Sequence, residues 1–405
     1  MRAPRAAPRG NRRRVAGHAA PRPDPPSPCG APERERRRSR AARPPGHGRP
    51  RSAPGSAGSA PPQGRAPRGA ARRRPGWAAT TASCFLYFLL ARAAWYRPGV
   101  RYGVALPNYG ELADAETLAH LARRAEVLGI DSIWVSDHLL APTGVRSIYP
   151  YDRRPDAKPG DMRVIEHFYE PLTTLAYLAG HTSRIRLGVS AYIVPYRNPV
   201  LTAKQVATLD ALSGGRLVLA VGVGWLREEF DALGVPFGGR GRRTDEYLAI
   251  CRALWTEDVA SYEGTITRLP PVRSLPKPRQ KPHPPIWVAG NSAAARMRAV
   301  RIGQGWHAID LSPEELTPLV QDLRRSLRAA GRRPEELTVS LRKGILPLAR
   351  APQPPHALYG PPDGIRADIA AYVAAGCDYL VLTLRQARSA AALERTLEQV
   401  VETLG

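Results

Sequence analysis

Ile130-Asp131-Ser132-Ile133-Trp134-Val135-Ser136-Asp137-His138 reads as a short buried strand that stops at an acid and an imidazole. Gly129, just before it, suits the left-handed position that ends a helix. That helix shows in Leu118, Leu121, Ala122, Ala125 and Leu128, which share one face, with Asp114 placed to cap its start. Tyr102 to Leu106 is an earlier apolar strand, ended by Pro107-Asn108-Tyr109-Gly110. The result is one strand–helix–strand unit. Polar residues set where a strand stops are how an α/β barrel builds a site.

The alternation continues downstream. Glu170 to Gly180 reads as a helix and Ile185 to Tyr192 as a strand. Asn198-Pro199 is a cap followed by a first-turn proline, opening a helix that runs to Leu212. Arg216 to Val221 is a fourth strand, ending in Gly222-Val223-Gly224-Trp225, and helices follow over 226–233 and 243–257. Later strands are Ile286 to Gly290, Trp306 to Ile309, Leu337 to Leu341 and Tyr379 to Leu384. Helices stand between them, and a last one is capped by Ser389. Eight strands alternating with helices predict a (β/α)8 TIM barrel over residues 100–405, with insertions at 141–168 and 259–285 on its C-terminal face. Residues 349–363 read as a proline-rich loop. The runner-up is a doubly wound sheet, which needs a glycine-rich turn after the first strand; Pro107-Asn108-Tyr109-Gly110 is not one.

The chain has 405 residues and a formal net charge of +25, most of it in residues 1–99, where the only acids are Asp24, Glu33 and Glu35. Residues 1–79 are Arg, Pro, Ala and Gly with few large apolar side chains, a composition that predicts a disordered basic extension. Its arginine runs could bind nucleic acid or an anionic surface through charge alone. The barrel itself is only mildly basic and carries no such expectation. The apolar run Cys84 to Ala91 is far short of the ~20 residues that span a bilayer, so no membrane segment is expected. The favoured reading is that translation starts near Val100 and that the text before it is GC-rich DNA read upstream of a gene. A tail with a role, or an export signal, are the alternatives. Cys29, Cys84, Cys251 and Cys377 have no metal-ligand spacing. A reduced, cytoplasmic setting follows, with Cys251 and Cys377 as small buried residues.

Strand ends offer Asn108, Asp137, His138, Ser190, Tyr192, Trp225, Asn291, Ser292, Asp310, Lys343 and Arg385. His138 is the side chain suited to moving a proton near neutral pH. Asp137 reads either as a site residue at the strand end or as a helix or loop cap, and Trp225 as wall. Glu228 and Glu229 open a helix, where carboxylates favour the dipole; Glu228 is the one considered to face the site. Gly290-Asn291-Ser292 precedes a helix and is the better phosphate turn, with Gly222-x-Gly224 second. No metal-ligand spacing and no nucleophile elbow appear.

From Val100 to about Leu404 the chain resembles the luciferase-like monooxygenase superfamily, in its coenzyme F420-dependent branch. The resemblance rests on Tyr102 to Pro107, Trp134 to His138, Tyr196 to Gln205, Leu209 to Arg216, Gly222 to Phe230, Pro284 to Gly290 and Gly303-Gln304-Gly305-Trp306. It implies an oxidoreductase with a deazaflavin, coenzyme F420, across the barrel mouth, or FMN on the same fold in a monooxygenase. It places Asp137 and His138 beside the ring as catalytic residues. A non-proline cis peptide at Val189-Ser190 or its neighbour would back the ring, with Asn108 also at the mouth. Gly222, Val223, Gly224, Trp225, Gly290, Asn291 and Ser292 would take the cofactor and its phosphate tail. Trp225 stands where some deazaflavin dehydrogenases carry a glutamate, which points away from an alcohol or sugar-phosphate reaction. Gln304 replaces the usual aspartate between two glycines. The implied partner is a small organic substrate, chosen by the insertions 141–168 and 259–285, and a homodimer is compatible with the resemblance.

Overall fold

The computed structural model describes residues 100–152, 158, 167–347, 357–384 and 389–405. The basic extension and Arg385 lie outside these residues. Eight parallel strands close a barrel: β1 (Arg101–Ala105), β2 (Ser132–Val135), β3 (Arg186–Ile193), β4 (Leu217–Gly222), β7 (Ile286–Ala289), β8 (Gly305–Ile309), β9 (Thr338–Pro347) and β11 (Tyr379–Leu384). β8 pairs with β9, β9 with β11, and β11 with β1, so no edge is left open. The opening stretch is β2, paired on one side through Gly103–Ser132 and on the other through Val135–Val189.

Helices cover the outside. α1 (Ala115–Val127) buries Leu118, Leu121, Ala122 and Ala125, the face its spacing marks. Asp114 accepts from the Thr117 N–H at 2.9 Å, and Gly129 takes φ 81° at the exit. α2 (Pro171–His181) and α3 (Pro199–Leu212) follow, the latter capped by Asn198. α4 (Arg227–Ala232) is short, and α5 (Arg240–Thr256) long. α6 (Ala293–Ile302), α7 (Pro313–Ala329), α8 (Pro362–Ala374) and α9 (Ala390–Leu404) complete the ring, with Ser389 capping α9. No helix among the described residues is long and apolar enough to cross a membrane. Cys251 and Cys377 are buried, and burial pushes both thiols up to about 12.

The barrel interior is filled by Trp134, Trp287 and Tyr379 with Val218, Ala220 and Val381. Trp134 fits because β3 offers Gly188 opposite it: a Cβ there would stand 2.3 Å from the indole. The Trp134 indole donates to Ser132 Oγ at 2.6 Å, and the Tyr379 hydroxyl lies 2.5 Å from that same oxygen.

Three expectations change. β9 runs on to Pro347, so Lys343 lies inside a strand, and β10 (Leu358–Gly360) pairs with it within the stretch read as loop. Residues 259–285 contain an antiparallel hairpin, β5 (Ala260–Glu263) with β6 (Arg268–Val272). They also lie at the other end of the barrel. They join a helix to the next strand, which places them at strand starts: Gln280 bonds Asp210 at the end of α3 and the Leu217 carbonyl that opens β4.

Candidate active site

Past the C-terminal strand ends lies a cavity of about 820 Å³, of a size usual for small-molecule and cofactor sites. Asp137, His138, Ser190, Gly222, Val223, Gly224, Trp225 and Ser292 line it. No residue of 259–285 does, so among the described residues the first insertion alone supplies wall, through Ile148, Tyr149, Pro150, Tyr151 and Phe168.

Asp137 and His138, adjacent in the chain, do different work. Asp137 is buried. Its Oδ2 accepts from the Ile193 N–H and from Arg197 Nη1, and its Oδ1 from Arg197 Nη2, each at 2.8 Å. Burial raises its carboxyl pKa, opposed by Arg197 and the Ile193 N–H. Three donors converging on two oxygens are met by the carboxylate form. Asp137 therefore ties the end of β2 to the turn after β3, and both its oxygens are engaged. These bonds match the capping alternative for Asp137, which also lines the cavity as the resemblance implies.

The partner is Glu229. His138 Nδ1 lies 2.8 Å from Glu229 Oε2, and Glu229 is fully buried. Its oxygens also accept from the Leu139 N–H at 2.5 Å, the Leu140 N–H at 3.1 Å and the Tyr196 hydroxyl at 2.8 Å. Burial pushes this carboxyl up, but His138 and the other donors outweigh it and hold it below the usual range. A carboxylate at Nδ1 fixes that nitrogen as the N–H. Nε2 is then the basic nitrogen of a side chain that lines the cavity. Trp225 and Phe168 meet the imidazole edge-on at 6.1 and 5.4 Å.

Glu228 turns to the insertion. Its carboxylate accepts from the Arg146 N–H (2.7 Å), the Ser147 N–H (3.1 Å) and the Ser147 hydroxyl (2.7 Å). Those bonds tether the segment that carries Tyr149, whose ring packs against Trp225 at 5.2 Å. Burial raises the Tyr149 hydroxyl to about 12, so it stays protonated.

Beneath the cavity, Arg342 reaches from β9 across the barrel. Its Nη1 donates to the Ser190 carbonyl at 2.7 Å and to Ser136 Oγ at 3.1 Å, and its Nε to Thr383 Oγ1 at 3.2 Å. Ser190 Oγ meets His307 Nε2 at 2.7 Å, and His307 Nδ1 meets Ser340 Oγ at 2.9 Å. The cis peptide is Ser190-Ala191, the neighbour of Val189-Ser190. Val189 itself packs in the core between sheet and helices.

Asn108 and Asn291 share a role that is structural. Asn108 bonds the Ser136 N–H (2.9 Å) and carbonyl (2.9 Å), and Asn291 bonds the Ile309 N–H (3.0 Å) and carbonyl (2.8 Å). Each clamps the end of the neighbouring strand instead of facing the cavity. Gly290 takes the same place in the scaffold: its carbonyl accepts from the Trp306 indole at 2.8 Å. Ser292 lines the cavity while its hydroxyl caps α6. Tyr192 is buried, bonded to Thr202. Arg240 joins the Gly222–Gly224 turn, donating to the Gly224 carbonyl at 3.1 Å, and lines the cavity. Among the described residues no group of three or more His, Cys, Asp or Glu is set to hold a metal ion.

Sequence reasoning passed over Glu229, Arg240, Arg342 and His307. Glu229 stands 91 residues from His138 and looks like an ordinary helix-start carboxylate. Arg240 opens a run of arginines. Arg342 became invisible once its strand was read as ending at Leu341.

Comparison with known proteins gives a consistent picture. The profile of the luciferase-like monooxygenase family matches residues 85–350. A Mycobacterium tuberculosis protein described as uncharacterized is 35% identical over 228 residues, 56% of this chain and 76% of that protein. The FMNH(2)-dependent dimethylsulfone monooxygenase of Pseudomonas putida is 34% identical over 166 residues, 40% of this chain and 46% of that enzyme. Among solved structures, the chain is similar to monooxygenase RslO1 of Streptomyces bottropensis, with TM-score 0.63 and 24% identity over 75% of this chain and 98% of that one. It is also similar to the coenzyme F420-dependent tetrahydromethanopterin reductase of Methanopyrus kandleri, with TM-score 0.60 and 18% identity over 75% and 98%. At these identities the two structures speak for the fold alone.

Proposed function

We propose a function from the premise that the chain belongs to the luciferase-like monooxygenase family, whose profile covers 85–350. This is a family of oxidoreductases and monooxygenases. Our reading is that the protein transfers hydride between coenzyme F420 and a small organic substrate. The observation that carries it is the His138–Glu229 pair, which leaves one imidazole nitrogen for proton exchange at the cavity wall.

The residues present fit a ring cofactor with an anionic tail. The cavity has aromatic walls in Tyr149, Phe168 and Trp225, and cationic groups in Arg240 and Arg342. When bound, a deazaflavin supplies hydride chemistry without activating oxygen. Everything else falls to the chain. Glu229 holds His138 in one tautomer, and His138 Nε2 takes or gives the proton that accompanies hydride transfer to or from a C=C, C=N or C–O group. Asp137, through Arg197, keeps the strand ends in register. Tyr149 and Trp225 exclude water. Arg240 and Ser292 offer polar atoms to a phosphate tail.

FMN is the second reading, favoured by the 34% identity with the FMNH(2)-dependent enzyme. Titrating the purified protein with coenzyme F420 and with FMN, followed by absorbance and fluorescence, separates the two. Binding of F420 together with F420-linked turnover supports the proposal. Tight FMN binding with no F420 affinity overturns it in favour of a monooxygenase.

A further inference from the structure

The cavity lining carries both signs of charge, with Arg240, Arg342 and Lys343 on one side and Asp137 and Asp310 on the other. Arg342 lines the cavity, and among the described residues its guanidinium is held by neutral oxygens: the Ser190 carbonyl, the hydroxyls of Ser136 and Ser190, and Thr383 Oγ1. Among the described residues Arg342 has no ion pair, and its Nη2 is spent on no acceptor. Arg240, the other guanidinium in the lining, donates to the Gly224 and Phe237 carbonyls and lies over the Phe237 ring, whereas Arg197, which is not part of the lining, is paired with Asp137 and Glu170. A guanidinium cannot lose its proton, so Arg342 keeps its charge. Its charge acts on its neighbours: His307 is held down to about 3, by burial first and by Arg342 second.

A cavity-lining cation with no carboxylate partner of its own among the described residues is costly to desolvate unless a ligand brings the opposite charge. The shape of the group adds specificity, because its planar fork matches a delocalised, planar acceptor better than a point charge. The fork is also fixed before any ligand arrives, with three hydroxyls and a carbonyl from β3, β11 and the residue that follows β2 around it. Such preorganisation favours the charged form of a ligand over its neutral form.

We propose that Arg342 is an anion-recognising group of this cavity, separate from the Arg240 end, and binds a planar, singly charged, delocalised anion. Two sources have that chemistry: the pyrimidine edge of a reduced deazaflavin or flavin, which carries negative charge once deprotonated, and a carboxylate on the substrate. The first source rests on the function proposed above; the second does not.

The test compares wild type with Arg342→Met, which keeps length and removes charge, and Arg342→Lys, which keeps charge and loses the fork. Circular dichroism and melting confirm that each variant is folded. In one arm, F420 and FMN are bound in oxidised and reduced form without oxygen. If the ring is the anion, Arg342→Met weakens the reduced form at least about tenfold more than the oxidised form, which lowers the two-electron potential of the bound cofactor by about 30 mV. In the other arm, benzoate is titrated against the protein without cofactor and followed by tryptophan fluorescence. If a carboxylate is the anion, wild type binds benzoate, Arg342→Met loses at least about tenfold, and Arg342→Lys lies between. Wild type that binds neither cofactor defeats the function proposed above, yet a benzoate response dependent on Arg342 would sustain this inference. A folded Arg342→Met with an unchanged reduced-to-oxidised balance and unchanged benzoate binding overturns it. Should Arg342→Met fail to fold, Arg342→Lys and Ser136→Ala, which loosens the fork, are measured by the same two readouts: a selective loss in either sustains the inference, and no change in both overturns it.

Discussion

His138 lines the cavity with one nitrogen on Glu229, so substituting each partner separates chemistry from scaffold. His138→Ala should lower turnover by about 10²–10⁴, the usual worth of a positioned acid–base group, while a melting curve shifts little. The carboxylate it abandons still has Leu139, Leu140 and Tyr196 as donors. Activity within a few-fold of wild type would remove His138 from the reaction. Glu229→Gln is the harsher change. An amide cannot accept with its nitrogen, so a buried N–H or O–H loses its partner at about 1–3 kcal/mol. The pH dependence has a definite sign. Glu229 is held below its ordinary value in the folded protein, so its stabilisation is complete above the unfolded carboxyl's pKa and is lost as pH falls through the lower folded one. Urea midpoints of wild type and Glu229→Gln should therefore be well apart at pH 7 and converge below pH ~4. A constant gap across that range would show that Glu229 is not the charged anchor described. At this scale the sequence was half legible: His138 could be found from its place at a strand end, whereas Glu229 required knowing that α4 folds back onto β2.

Caps and helical faces are local, and the elements they define were the readable part. Asp114, Asn198 and Ser389 each accept the bonds their positions promise. The unreadable elements depend on partners. β6 contains Pro270 and Pro271, which look like loop until the hairpin shows them in a strand with one open edge, where a missing N–H does little harm. β9 continues past Leu341 because β11 and β10 pair with its far end. The insertion at 146–151 is tied to α4 chiefly by the Glu228 carboxylate, with the Arg227 N–H also donating to Ser147 Oγ at 3.2 Å, and this yields a prediction. Glu228→Ala removes three hydrogen bonds from the Arg146–Ser147 backbone and hydroxyl without touching the core. Global stability should fall by no more than about 1–2 kcal/mol, since the site is largely solvated. The tether should loosen, with faster proteolytic nicking at 146–151 and a raised KM from a less firmly held Tyr149, at nearly constant kcat. Unchanged nicking would mean that the segment is fixed by its aromatic packing on Trp225 instead.

Across the whole molecule, eight repeats of strand and helix were legible because each repeat carries its own period and stop, and the barrel follows from their number. What fills the barrel was not legible, since that depends on which residues of non-adjacent strands meet inside it. Trp134 of β2 lies against the glycine of β3 and stacks on His307 of β8 at 5.5 Å, with the rings 7° apart. His307 is consequently a fully buried imidazole whose two nitrogens are engaged by Ser190 and Ser340. Burial, with Arg342 adding to it, brings its pKa from 6.5 to about 3. Above pH ~6.5 the ring is neutral folded or unfolded and contributes no pH dependence. Below that value the unfolded chain takes a proton that the native barrel refuses. Stability then falls with pH at about 1.4 kcal/mol per unit, until the folded ring itself titrates. His307→Gln keeps a polar side chain in the layer and removes the titration. It should be less stable than wild type at pH 7, and the difference should narrow by about 1.4 kcal/mol for each unit between pH 6 and pH 4. Equilibrium urea unfolding of both proteins across that range reads the slope directly. Parallel lines would mean that His307 is protonated in the native barrel, and that the layer beneath the cavity carries a second positive charge beside Arg342.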